Sequence, residues 1–106
     1  MNPDRWVVLE ITIDGTTTKK VFNGDYGGYC GSDTWGLSSE IKRTREFLTE
    51  FEFTTDSGNT YMCSIPSYGM SGYMCQIHAK WMGTIKDTDN IRVLSIEEIR
   101  NGLSNG

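Results

Sequence analysis

The chain has 106 residues, is 37% hydrophobic and 23% charged, and carries a net charge of −4. That length holds one core rather than two, so a single domain over residues 1–106 is expected, with 102–106 as a frayed tail. Five Tyr, four Phe and three Trp supply more apolar area than a disordered segment carries, and the acidic balance disfavours non-specific nucleic-acid binding.

Before Trp6 there is no basic start followed by an apolar run of the secretory kind. Trp6 to Leu9 is the longest apolar stretch, far below the ~20 residues that cross a bilayer. A cytoplasmic protein with no membrane partner is therefore expected. Cys30, Cys63 and Cys75 form an odd set that cannot close fully into internal disulfides, which fits reduced thiols. A Cys63–Cys75 bridge would require export.

Val7, Leu9, Ile11 and Ile13 alternate with polar residues, the period of a half-buried strand. Asp14-Gly15 then predicts a hairpin turn into a strand over Thr16 to Phe22. Asn23 to Gly36 holds five glycines and reads as an irregular loop. Ser38 or Ser39 caps one or two expected helical turns through Arg45. A strand follows from Phe47 to Thr54, then a turn at Asp56 to Asn59, then a strand from Thr60 to Ile65 that Pro66 ends. Tyr73 to Met82 alternates again and reads as a strand, as does Ile91 to Leu94. Ser95-Ile96-Glu97-Glu98 is a capping box opening a short helix over Ser95 to Asn101.

The fold class expected from this order is mainly β, a β-rich α+β domain. It has five to six mostly antiparallel strands as a small barrel or rolled sheet with a short C-terminal helix. Tight turns favour antiparallel order because parallel pairs need long crossovers, and rolling limits exposed edges.

Catalytic and cofactor signals are thin. Cys30, Cys63, Cys75 and His78 have the residue types of a zinc site, but only Cys75 and His78 lie close in sequence. On a strand those two would face opposite ways. The glycines from Gly24 to Gly31 lack the Gly-Lys-Ser/Thr ending of a phosphate loop and the Gly-x-Gly-x-x-Gly dinucleotide pattern. No metal and no cofactor is expected, and no catalytic residue is assigned.

The feature that carries a function is a pair of glycine–aromatic loops. Tyr26, Tyr29 and Trp35 lie in or beside the first, and Tyr68, Met70 and Tyr73 in or beside the second. Rings on rigid loops give contact area at low entropy cost, and a sheet carrying such loops is a common recognition arrangement. The leading expectation is a non-catalytic binding protein that uses these six residues on a protein partner or on a second copy of itself. Its size suits an inhibitor or accessory subunit of a phage or mobile element. The alternatives are a small nucleic-acid-binding barrel using Lys19, Lys20, Lys42, Arg43 and Arg45, and a cysteine-dependent enzyme using Cys30 and His78.

Overall fold

Asp14 and Gly15 both adopt positive φ, 52° and 81°, so the strands on either side close into the two-residue hairpin that Asp-Gly predicts. These are β1 (Arg5–Ile13) and β2 (Thr16–Asp25), paired from Ile13↔Thr16 to Arg5↔Gly24. The computed structural model describes residues 2–27 and 31–105, with the backbone alone at 104 and 105. The remaining elements are β3 (Thr34–Leu37), β4 (Ile41–Glu46), β5 (Glu50–Thr55), β6 (Thr60–Ser64), a single 3-10 turn (Ile65–Ser67), α1 (Gly72–Met82), β7 (Asn90–Leu94) and α2 (Ile96–Asn105).

The seven strands are antiparallel and form two open sheets, ordered β3-β2-β1-β7 and β4-β5-β6. The expected barrel does not close. Ser38 explains why: its N–H donates to the Val21 carbonyl at 2.9 Å, and its Oγ accepts from the Val21 N–H at 2.8 Å. Those bonds end the pairing along β2, and the chain then leaves for the second sheet instead of continuing beside Thr16–Lys20.

The four-stranded sheet is covered on both faces. Val7, Leu9 and Phe22 face α1, where Met74 is fully buried against them. Trp6, Val8, Val21 and Leu94 face the other way, onto Phe51, Phe53, Tyr61 and Cys63 of the second sheet and Ile99 of α2. Alternation along each strand sends side chains to both cores. No helix among the described residues is long and apolar enough to cross a membrane.

The loop expected over Asn23 to Gly36 is shorter than that, because Asn23, Gly24 and Asp25 of β2 pair with Gly36, Trp35 and Thr34 of β3. Three further local expectations are overturned. Residues 41–46 are a strand, not a helix, because Thr44 and Glu46 pair with Phe53 and Phe51, and Ser38 serves as the strand-end bridge rather than a cap. Phe47 to Thr49 is turn, with the Phe47 N–H bonded to the Glu50 carbonyl at 2.8 Å, so β5 starts only at Glu50.

The third correction is larger: 72–82 is helix, not strand. Tyr73 to Trp81 alternates, but Met74, Ile77 and Trp81 also keep a helical three-and-four spacing, and both periods fit a short mixed segment. Ser71 decides locally, its Oγ accepting the Met74 N–H at 3.2 Å as an N-cap. At the C-terminus the capping box forms as expected, with the Glu98 N–H on Ser95 Oγ and the Ser95 N–H on Glu98 Oε1, both at 3.1 Å. The helix runs past Asn101 to Asn105, and Leu103 packs against the core.

Candidate functional site

The two tyrosine loops do not share a fate. Tyr68 turns inward: its ring stands edge-on to Trp6, with centroids 5.3 Å apart, and its hydroxyl donates to the Leu94 carbonyl. The surrounding loop is stapled to β1, since the Gly69 N–H donates to the Trp6 carbonyl at 2.8 Å and Arg5 Nη2 donates to the Tyr68 carbonyl at 3.1 Å. Gly69 is required there, because its φ is 128° and a Cβ would stand 2.5 Å from Arg5 Nη2. Burial raises the Tyr68 phenol above its ordinary value, and nearby Glu98 pushes the same way.

Tyr68 is therefore a half-buried ring held in the packing rather than one that projects from its loop. Tyr68→Phe should cost about 0.5–1.5 kcal/mol, because it leaves the Leu94 carbonyl without this donor. Chemical denaturation of the variant checks this, and an unchanged midpoint would show that the hydroxyl bond contributes nothing.

Met70 is half-buried against the α1-side core, and Tyr73 is half-buried in the first turn of α1. Neither projects as expected from a loop. Tyr29 and Cys30 lie outside the described residues.

Tyr26 and Trp35 do remain at the surface, 55% and 39% exposed. Asp4 holds the first: its carboxylate accepts the Tyr26 N–H at 2.9 Å, while its own N–H donates to Asp25 Oδ1 at 3.0 Å. Trp35 sits on β3, an outer strand, and packs edge-on against Phe22 at 6.0 Å and Trp81 at 5.2 Å between centroids. Leu37, two residues along the same face, and Met82, next to Trp81, are 36% and 40% exposed. Sequence reading missed Leu37 and Trp81. The i, i+2 spacing of Trp35 and Leu37 was visible, but the partner on α1 became a candidate only once that segment was helical.

The basic residues gather more than their sequence positions suggest. Lys19, Lys42, Arg43 and Arg45 line one cleft of about 550 Å³, between β2, β4 and α2. Lys20 does not join them, because it pairs with Leu9 and so faces the α1 side. Lys42 is bonded to Glu40 at 2.8 Å, which raises its pKa, and Arg45 lies 3.5 Å from Glu52.

Cys63 and Cys75 are free thiols, the first buried on β6 and the second exposed on α1. The helix puts Cys75 and His78 on neighbouring positions of one side, so the strand argument against their sharing a ligand no longer holds. Among the described residues, however, no group of three or more His, Cys, Asp or Glu is placed to hold a metal ion. Burial pushes the Cys63 thiol up to about 12, with Glu50 acting in the same direction, which makes it a core side chain and not a nucleophile. Comparison with protein-family models, curated proteins and solved structures finds no match for the chain.

Proposed function

We propose that this chain is a non-catalytic binding protein that docks a protein partner on the aromatic patch of β3 and the end of α1. The observation that supports the reading is Trp35: a large ring on an outer strand, braced by Phe22 and Trp81 yet left 39% exposed beside exposed Leu37 and Met82. Tryptophan is enriched among residues that dominate interface energies, and a ring already held in place loses little freedom on binding. The outer edge of β3 also offers main-chain groups to an added strand. Tyr26, also exposed, follows the last pair of β2 with β3, Asp25↔Thr34.

Capture from the native host, read against solution mass by light scattering, tests this. The wild-type chain is expected to retain one partner at near-equal amounts. Trp35→Asp should weaken that capture about tenfold or more, the scale expected of an interface anchor, while Tyr68→Phe leaves it intact. A solution mass of twice the chain, lost in Trp35→Asp, would make the partner a second copy. Equal capture by wild type and a folded Trp35→Asp removes the patch from the account.

A further inference from the structure

A second surface, independent of the aromatic patch, lies where the two sheets part. β3 pairs with β2 only over Phe22–Asp25, so the Thr16–Lys20 half of β2 has no strand on that side among the described residues. The hairpin register fixes which groups face outward there. Thr16 is the partner of Ile13 next to a two-residue turn, so bonded pairs recur at Thr18 and Lys20, leaving Thr17, Lys19 and Val21 turned out. Ser38 takes both main-chain groups of Val21, which confirms the alternation; Thr17 and Lys19 have no such partner strand.

Across the cleft stands the open edge of β4. The Phe47–Glu50 bond fixes its alternation in the same way, and turns the main-chain groups of Thr44 and Glu46 outward. Two strand edges thus flank one cleft.

The lining is strongly biased. Lys19, Lys42, Arg43 and Arg45 contribute four cations and no carboxylate lines the cleft, in a chain of net charge −4. Lys19 and Arg43 have no ion-pair partner among the described residues; Glu10, across from Lys19, is engaged by Arg92 at 3.3 Å. The floor is apolar: Val8, Ile41, Phe53, Leu94, Ile99 and Leu103. Phe53 is 1% exposed, and no other aromatic side chain lines the cleft, so there is no platform on which bases could stack.

We propose that the cleft between the open edges of β2 and β4 binds an acidic, extended peptide as an added strand. Its main chain bonds to Thr17 and Lys19 in line with β3. Lys19 points to the same side of the sheet as Val8, so the side chains facing the cleft are the carboxylates. These meet Lys19 and Arg43 while their methylene stems lie along half-buried Ile41 and Leu103. The open half of β2 has room for about five residues.

The test uses the full chain and a fluorescent, end-blocked peptide of about eight residues alternating Glu and Val, followed by anisotropy. Binding is expected, weakening as salt is raised from about 50 to about 300 mM. Lys19→Glu with Arg43→Glu should weaken it about tenfold or more, whereas Trp35→Asp leaves it unchanged. Methylating alternate amide nitrogens of the peptide should abolish binding to the wild-type chain, an arm that needs no folded variant. No binding, equal binding of the methylated peptide, binding that survives the charge reversal in a folded variant, or tighter binding of an oligothymidine strand each overturns the proposal.

Discussion

Trp6→Ala is expected to cost about 3–5 kcal/mol, the range for removing a buried aromatic ring. Trp6 has no exposed surface, and its ring meets three others: Phe51 at 6.0 Å, Phe53 at 5.6 Å and Tyr68 at 5.3 Å between centroids. Its Nε1 donates to the Ser64 carbonyl at 2.7 Å, which ties β1 to the end of β6 in the other sheet. One side chain therefore joins both sheets and the loop after β6. Domains of this size are stable by roughly 5–15 kcal/mol, so the variant loses a large share of its margin. Trp6→Phe keeps most of the apolar area but leaves the Ser64 carbonyl without its donor, and should cost about 1–3 kcal/mol. Urea denaturation of the three proteins orders them. An unchanged midpoint for Trp6→Ala would mean that the two sheets are not held through this ring.

The second large effect is alkaline. Cys63 is buried opposite Phe51, and burial raises its thiol from an ordinary 9.0 to about 12. Below pH 9 both the folded and the unfolded chain hold the proton, so the contribution of the neutral thiol is complete. Between pH 9 and 12 the unfolded chain releases the proton while the folded one keeps it, and stability falls by up to about 1.4 kcal/mol per pH unit. The loss comes to a few kcal/mol by the end of that window. Tyrosine and lysine also titrate there, and Cys63→Ala isolates the cysteine. Near neutral pH the variant should be less stable than wild type, because it leaves a cavity, and the gap should narrow as pH rises. Parallel curves would exclude Cys63 as the titrating group. In a Cys30→Ser background a thiol reagent near pH 8 should label exposed Cys75 promptly and Cys63 only after denaturant is added.

Much of the local structure was legible. Alternation in β1, the Asp14-Gly15 turn, the β5–β6 hairpin and the Ser95–Glu98 capping box all follow from neighbouring residues, because pleat, turn geometry and capping are short-range. The misreadings have equally local causes. Tyr73 to Trp81 carries both periods at once, and only the Ser71 cap, outside the alternating run, favours the helix. Ile41 to Glu46 has too few apolar residues to declare either period, and becomes a strand only because β5 offers Phe51 and Phe53 beside it.

Of the six aromatic and methionine candidates, the described residues leave Tyr26 and Trp35 outermost and pack Tyr68 and Met70 into the fold. Nothing in the words around them separates these outcomes: Tyr26-Gly27 and Tyr68-Gly69 are the same dipeptide. What divides them is distant in the chain. Trp6 and Leu94 receive the second tyrosine, and among the described residues no comparable socket meets the first. The basic cleft has the same origin, since Lys19 and Arg43 come together only because the chain crosses between sheets at Ser38.

By itself the order of residues determined an antiparallel, β-rich domain with two hairpins and a capped final helix, because those depend on bonds a few residues apart. The tertiary structure alone decided that the sheet splits in two, which ring is covered and which strand edges stay open. Those outcomes depend on contacts between segments far apart in sequence, whose spacing no local pattern encodes.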